Sequence, residues 1–241
     1  GFVLLMLAIW GGGQIAADPY WGAAFTFTGV QLTWMLIGYG FVASVLPVWL
    51  LLAPRDYLST FLKIGTIVGL AIGILVVAPH LRMPALTQFV DGSGPVWAGN
   101  LFPFLFITIA CGAVSGFHAL ISSGTTPKLL ENESHMPYIG YGGMLMESFV
   151  AIMALIAASV IDPGVYFVMN SPAAVVGKTA ESAAAAVSNF GFLITPEMIT
   201  HTAQTLGEKT IISRAGGAPT LAVGMAEILS SVFGGDGMKA F

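Results

Sequence analysis

The chain has 241 residues, of which 56% are hydrophobic and only 8% are charged. Soluble domains carry roughly a quarter charged residues, so this composition excludes an ordinary soluble fold and predicts an integral membrane protein. The net charge of −4 is dispersed and includes no basic cluster, which argues against a nucleic-acid partner. The single cysteine, Cys111, leaves no disulfide framework and no cysteine-based metal motif.

Several apolar runs approach the roughly 20 residues that a helix needs to cross a bilayer, which favours an all-α, polytopic bundle over a barrel. We expect an extramembrane segment at 162–218, with amphipathic patterns at 172–189 and 196–210. Thr195, Pro196 and Glu197 predict the start of the second amphipathic helix, since they supply an N-cap, a first-turn proline and an acidic first turn. The predicted spans cover about 2–15, 30–53, 62–78, 101–122, 139–161 and 219–233.

The ends of several predicted segments depart from those of a simple membrane span. The apolar N-terminal run lacks a basic leader and the C-terminal run has no clear stop, so we expect an internal piece of a longer protein. The run 219–233 is short and contains Glu227, which predicts a re-entrant or irregular segment. Pro47 predicts a kink in the second span, because proline removes a backbone donor. We expect that span to stop at 54–56, where Arg55 and Asp56 form a pair at the membrane interface.

Glycine spacing predicts two places of close helix packing. Gly65, Gly69 and Gly73 form a doubled G-x-x-x-G pattern in the third span, and Gly112 and Gly116 form another in the fourth. Such spacing lets helix backbones approach each other within a membrane. We assign these five glycines a structural role.

The distribution of basic residues predicts the orientation. If the spans alternate, Arg55, Lys63 and Lys128 fall on one side, whereas the short loops on the other side carry Arg82 alone. The positive-inside rule then places the first three in the cytoplasm.

The stretch 100–133 organises the chain, because polar residues recur along it at steps of three and four. That spacing places them on one stripe of an otherwise apolar helix, which should face protein or water rather than lipid. Ser122, Ser123, Gly124 and Thr125 lie just before a proline, so we expect the helix to unwind there and expose backbone dipoles for an anionic group or ion. The alternative is an ordinary helix end. The stripe consists of Thr108, Cys111, Ser115, His118, Ser122 and Thr125.

His118 and Glu147 are the strongest candidates for chemistry. An ionisable side chain at membrane depth costs at least about 2.5 kcal/mol when charged and is usually retained for function. Histidine exchanges a proton near neutral pH, and a desolvated glutamate can be raised toward that range, so the two residues predict a proton relay. The alternative is that His118 only bonds a carbonyl of a neighbouring helix and that Glu147 only caps a polar packing contact. We expect Glu147 to lie on a face of small, protein-packed residues. No third metal ligand and no catalytic motif is evident, so we expect neither a cofactor nor an enzyme, and a membrane metalloenzyme is a distant hypothesis.

Long stretches of the chain, from about Thr26 to Ala226, resemble the carbon starvation protein family, CstA. The resemblance is carried by TFTGVQLTWMLIGYGFVASVLPVWLLLAPRDYLSTFLKIGTIVG, LFPFLFITIACGAVSGFHALISSGTTPK, IGYGGMLMESFVAIMALIAASVIDPGVYFVMNSP and GGAPTLAVGMA. It implies a multi-pass transporter of the bacterial inner membrane that carries peptides, or pyruvate with a proton, in the carbon-starvation response. It also implies an inverted-repeat, APC/LeuT-like fold, completed by helices of the full-length protein that lie outside this chain.

We therefore expect a secondary active transporter in contact with the lipid bilayer, taking small peptides or pyruvate and coupled to protons. The predicted pathway consists of Ser115, His118, Ser122, Ser123, Gly124 and Thr125, with Glu147 as the coupling acid. A passive channel is the nearest rival mechanism. A membrane starvation sensor, or a partner-binding protein with 162–218 as its docking segment, is the alternative of a different class.

Overall fold

The computed structural model describes residues 2–47, 49–97, 99–114 and 121–233. Within these ranges every regular element is helical and no strand occurs, in agreement with the predicted all-α class. A 3₁₀ turn lies at Phe89–Asp91 and a π-helical turn at Ile121–Thr125. The α-helices are α1 Phe2–Ala17, α2 Pro19–Ala24, α3 Gly29–Val45, α4 Leu52–Val77, α5 Leu101–Val114, α6 Thr126–Leu129, α7 His135–Val160, α8 Pro163–Asn170, α9 Ala173–Val176, α10 Ala180–Asn189, α11 Pro196–Thr205 and α12 Gly217–Phe233.

Among the described residues, two helices are long and apolar enough to cross a membrane: α4 over Ala53–Val77 and α7 over His135–Val160. Shorter apolar helices occur at Met6–Ala17, Gly29–Val45 and Gly217–Val232. The apolar residues of the sequence are thus concentrated in helices of membrane-spanning character, as the composition predicts.

The region around Pro47 differs from the prediction. Instead of a kinked helix over 30–53, α3 ends at Val45 and α4 begins at Leu52. Neither proline removes a helical hydrogen bond: Pro47 falls in the connection between the helices, and Pro54 sits in the first turn of α4, where backbone N–H groups lack helical partners anyway. The 54–56 segment consequently belongs to α4 rather than ending the second span.

Contacts divide the chain into residues 1–69 and 70–241. In the first unit, no residue whose burial is described is fully buried. Its helices are held locally: the Asp18 carboxylate accepts hydrogen bonds from the backbone N–H groups of Tyr20 and Trp21, and the Arg55 guanidinium donates to Asp56 and, at 2.7 Å, to the Tyr39 hydroxyl. The predicted pair of Arg55 and Asp56 is therefore present, and it is joined by a residue of α3.

The hydrophobic core of the second unit lies mainly in residues 161–216, which we call the cap. The amphipathic patterns predicted at 172–189 and 196–210 form α9, α10 and α11, whose apolar faces meet those of α8. Burying such faces is what stabilises short helices that would be marginal alone. The core consists of Ile161, Val165, Phe167, Val168, Met169, Val176, Ala183, Ala184, Val187, Ile194, Ile199, Ala203, Ile211 and Val223.

The connection over 78–100 is attached to the cap and to the end of α7. The backbone N–H groups of Arg82 and Met83 donate to the Ser159 carbonyl oxygen at 2.8 and 3.1 Å, which satisfies an acceptor that would otherwise be unpaired at a helix end. The Gln88 side-chain amide donates to the Phe190 carbonyl at 2.9 Å. The C-terminal ends of α4 and α7 are therefore joined on one side of this unit.

The start of α11 confirms the predicted N-cap. The Thr195 hydroxyl accepts a hydrogen bond from the backbone N–H of Met198 at 3.3 Å, with Pro196 and Glu197 in the first turn. A hydrogen bond from its own backbone N–H, and then one from the Thr195 side chain, lower the pKa of the Glu197 carboxyl.

We expect Thr195→Ala to lower the free energy of unfolding of the cap by about 1 kcal/mol, because the mutation removes the hydroxyl that accepts this hydrogen bond. Amide hydrogen exchange across α11 in the full-length protein would measure the change. Thr195→Ser keeps the hydroxyl and is the matched control. Equal protection in the Ala and Ser variants would contradict the capping role.

Candidate functional site

The centre of the predicted pathway lies outside the described residues. Ser115, His118 and Gly116 fall in 115–120, which the structure does not describe. Thr108, Cys111 and Gly112 of the same stretch lie within α5. The proposed roles of His118 and Ser115 consequently remain predictions from the sequence.

The hydroxyl-rich part of the pathway has a specific backbone geometry. Instead of unwinding, Ile121–Thr125 forms a π-helical turn that leads directly into α6. A π turn inserts an extra residue into the helical repeat, so it redirects backbone groups while keeping the chain helical, and such turns frequently occur at functional sites. Ser122 and Ser123 are exposed, and both are engaged in interactions. The predicted irregularity at 122–125 is therefore present in a different form.

Glu147 lies in the middle of α7 and is exposed. It is engaged in an interaction of its own. The predicted protein-packed face is found only toward the end of the helix, where Met153, Ala157 and Val160 are buried, whereas Gly143 and Ala151 are exposed like Glu147. The reason is that the helices of the second unit pack on the C-terminal part of α7.

The predicted glycine packing is seen at one position of α4. A Cβ at Gly73 would lie 3.1 Å from Ile228 and 3.4 Å from Leu229, so α12 approaches α4 closely there. Apart from the backbone of α4 itself, no atom of the described residues lies within 4 Å of a Cβ placed on Gly65 or Gly69. The run 219–233 is a regular part of α12, which corrects the expectation of an irregular segment.

Two cavities beside Tyr166 were not predicted. The first, of about 320 Å³, lies between the 78–100 connection, α7 and α8; the second, of about 510 Å³, lies between α7, α8 and the start of α12. Val96, Trp97, Ala158 and Tyr166 line both. We call them the first chamber and the second chamber, and both linings are mostly apolar. A usable signal was the spacing of Tyr166 and Asn170, which places two polar groups on one face of an apolar helix.

One wall of the second chamber is fixed by hydrogen bonds at Asn170. The Asn170 side-chain amide donates to the Tyr166 carbonyl at 3.1 Å and to the Thr220 hydroxyl at 3.0 Å. Its oxygen accepts from the backbone N–H of Gly216 at 3.3 Å, and the Thr220 hydroxyl reaches the Gly216 carbonyl at 3.0 Å. These bonds join the end of α8 to the start of α12, so the chamber has a defined shape.

Tyr166 separates the two chambers, and desolvation raises the pKa of its hydroxyl. Burial disfavours the charged phenolate, so the hydroxyl stays protonated at neutral pH and can donate a hydrogen bond. Among the described residues, no group of three or more His, Cys, Asp and Glu side chains could hold a metal ion.

The two long apolar helices among the described residues are those of a helical membrane protein, and the open cavities beside Tyr166 are its candidate small-molecule site. The family "Carbon starvation protein CstA" matches residues 1–241, and the chain belongs to this family. The resemblance found in the sequence is thereby confirmed.

Several curated relatives are similar over nearly the whole chain. The chain is 72% identical over 233 residues to the "Peptide transporter CstA" of Escherichia coli (strain K12), a match of 95% of this chain and 33% of the relative. It is 60% identical over 254 residues to the "Pyruvate/proton symporter BtsT" of the same organism, covering 96% of this chain and 36% of the relative. It is 62% identical over 242 residues to the "Peptide transporter CstA" of Campylobacter jejuni subsp. jejuni serotype O:2 (strain ATCC 700819 / NCTC 11168). That match covers 100% of this chain and 34% of the relative.

The chain thus spans about a third of the length of these relatives. No solved structure matches it. The transport names of the relatives agree with the membrane and transport character that the sequence predicts.

Proposed function

We propose that this chain forms part of a proton-coupled secondary transporter that imports small peptides, or a small carboxylate such as pyruvate, across the bacterial inner membrane during carbon starvation. The observation that carries the proposal is the high identity to relatives named as a peptide transporter and a pyruvate/proton symporter. Because the chain spans only about a third of each, the complete protein is the transporting unit.

The proposed architecture is a multi-pass bundle of the inverted-repeat, APC/LeuT-like type. The two helices of the described part of the chain that are long enough to span a membrane, and the shorter apolar helices beside them in sequence, support a multi-pass arrangement. The π turn at 121–125 supports a specialised role for the fourth predicted span, because departures from α geometry often mark functional positions in helices. Helices outside this chain would supply the opposite wall of the pathway.

The proposed orientation places the cap in the periplasm. The 78–100 connection bonds to the end of α7 and to the cap, so these segments lie on one side of the second unit. In the alternating order of spans, this is the side opposite Arg55, Lys63 and Lys128, which the positive-inside rule assigns to the cytoplasm. An imported substrate would therefore arrive on the cap side.

The pathway in this proposal follows Ser115, His118, Ser122, Ser123, Gly124 and Thr125, with Glu147 as the coupling acid. Hydroxyls and helix-terminal dipoles at a broken or altered helix bind charged groups in transporters. A histidine and a glutamate at membrane depth supply groups that can take up and release protons.

Uptake by the complete protein in proteoliposomes tests this function. Labelled dipeptide and labelled pyruvate are supplied separately, with a proton gradient imposed across the membrane. We expect accumulation of at least one of them above its outside concentration, and collapse of that accumulation when an uncoupler is added. Equilibration that stops at equal concentrations and ignores the uncoupler would support a passive channel and overturn the proposal.

We expect His118→Ala and Glu147→Gln each to reduce proton-driven uptake at least about tenfold, equivalent to about 1.4 kcal/mol of activation free energy, because each removes a group that carries the proton. Initial uptake rates across a range of pH provide the measurement. Glu133→Gln, in the exposed hairpin before α7, is the matched control. Unchanged rates and pH dependence in both test variants would remove these residues from the coupling mechanism.

A further inference from the structure

Glu227 is the one ionisable residue of α12, and it belongs to neither the proposed pathway nor the described linings of the two chambers. The rest of α12 is uncharged, and Gly217–Val232 is one of the shorter apolar helices. An ionisable side chain among apolar membrane helices costs free energy when it is charged, so it is by default a candidate for function. What Glu227 can do depends on where it lies in the helix packing.

Glu227 lies at the centre of the face that α12 packs against its neighbours. Residues at steps of three and four share one face of a helix, and the buried positions of α12 follow that spacing on both sides of Glu227. Glu227 itself is half-buried. The helix therefore places its only acidic residue on the packed face. The buried positions are Thr220, Val223, Gly224, Ile228 and Ser230.

Two helix contacts bracket Glu227. About one turn before it, a Cβ on Gly224 would overlap the backbone of Ala157, so α7 touches α12 there. One residue after it, the Cγ2 atom of Ile228 lies 3.1 Å from a Cβ placed on Gly73, so the end of α4 is also close. Glu227 thus lies where α12 meets α4 and α7, the two helices of the described part of the chain that are long enough to cross a membrane.

The same face of α12 links Glu227 with the second chamber. Thr220 lines that chamber and precedes Glu227 by seven residues, which is two turns or about 10 Å along the helix. The contact between Gly224 and Ala157 lies between these two positions. A proton that enters through the chamber therefore meets a closed helix contact before it reaches the carboxyl group. Separation of α7 from α12 would open that route.

Few other titratable groups face Glu227 in the described part of the chain. The adjoining segments of α4 and α7, residues 70–77 and 150–160, contain none, and α8 contributes only Tyr166, which lines the second chamber. The nearest acid along α7 is Glu147, which precedes the second of these segments. Glu227 is itself engaged in an interaction within the chain. Binding or release of a proton at Glu227 would therefore be the main change of charge at this helix contact.

We propose that Glu227 binds and releases the transported proton at the contact between α7 and α12. The inference rests on the proposed proton-coupled transport and adds a second acid to Glu147. The carboxylate takes one proton from water on the cap side, becomes the neutral acid, and returns that proton to water on the opposite side. Because a buried charge is costly, the neutral acid favours the packed contact and the carboxylate favours its separation.

Proton entry and substrate exchange in proteoliposomes containing the complete protein test this role. The pH indicator pyranine in the lumen records proton entry, while labelled dipeptide or pyruvate, whichever the wild type accumulates, records uptake. Exchange of labelled for unlabelled substrate, with equal pH and equal concentrations on both sides, requires no net movement of protons. The two measurements therefore separate a residue that carries the proton from one that only maintains the structure.

Glu227→Gln keeps the size of the side chain and removes the group that binds the proton. We expect substrate-linked proton entry and accumulation to fall at least about tenfold, while exchange continues at a rate near that of the wild type. Glu227→Asp keeps a carboxyl group and should restore proton entry, with an altered pH dependence because the shorter side chain moves that group. Glu181→Gln, at an exposed position of α10, is the matched control and should change neither measurement.

The outcomes separate this inference from the proposed function. Wild-type protein without substrate-linked proton entry would overturn the proposed function. Proton entry that persists in Glu227→Gln would overturn this inference alone. Loss of exchange together with proton entry, at a normal amount of protein in the vesicles, would assign Glu227 to packing and also overturn it. If Glu227→Gln does not reach the membrane, Glu227→Asp decides, since a pH dependence of uptake identical to that of the wild type would contradict the proposal.

Discussion

Gly224→Ala is expected to lower the free energy of unfolding by about 3 kcal/mol, the upper part of the range for overpacking a tight contact. A Cβ at this position of α12 would overlap the backbone of Ala157 in α7, reaching its carbonyl oxygen and lying 2.5 Å from its carbonyl carbon. Both clashing atoms belong to helix backbone, so no side-chain rotation relieves them. The two helices would have to move apart, and contacts along their interface would be lost.

Chemical or thermal unfolding of the purified complete protein in detergent would measure this loss. Gly143→Ala is the matched control in α7, because no atom of the described residues lies within 4 Å of a Cβ there. The control should unfold close to the wild type. Equal unfolding of the Gly224 and Gly143 variants would show that the close approach of α7 and α12 does not limit stability.

Ile199→Ala should have a comparable effect inside the cap, lowering its free energy of unfolding by about 2–5 kcal/mol. Ile199 is 1% exposed and belongs to the core shared by α8, α10 and α11. The deletion removes buried methyl and methylene groups and leaves a cavity among helices that depend on this core. Its effect should therefore spread through the cap rather than remain in α11.

Hydrogen–deuterium exchange gives the local readout for this variant. We expect faster exchange in α8, α10 and α11 and little change in α4. Met198→Ala alters the neighbouring residue, which is 39% exposed, and is the control. Faster exchange limited to α11, or an equal response in both variants, would contradict a cap that is stabilised by one shared core.

Local sequence signals predicted the parts of the fold that depend on neighbouring residues. Thr195, Pro196 and Glu197 mark a helix start through groups within one turn, and the amphipathic patterns of the cap follow from helical periodicity. The break between α3 and α4 was misplaced because a proline in an apolar run is compatible with a kink or with a helix end. Packing in the complete chain decides between the two.

The candidate sites show the same difference between local sequence signals and packing of distant segments. The hydroxyl-rich run at 122–125 indicated an irregular helix, but residue types alone do not distinguish unwinding from a π turn. The chambers beside Tyr166 were missed because their walls come from 83–101, 154–170 and 215–221, segments far apart in sequence. The pathway residue His118 and the docking alternative for 162–218 remain predictions for experiment.

The hydrogen bonds that attach the 78–100 connection to Ser159 and Phe190 have a mechanical consequence. Gln88 and Phe190 are 102 residues apart in the sequence, yet one hydrogen bond joins them directly. When the end of α7 moves, the connection and the cap therefore move with it unless these hydrogen bonds break. Conformational change during a transport cycle would then require backbone rotation elsewhere in the chain. We therefore expect a cross-link between positions 88 and 190 to leave the turnover rate unchanged.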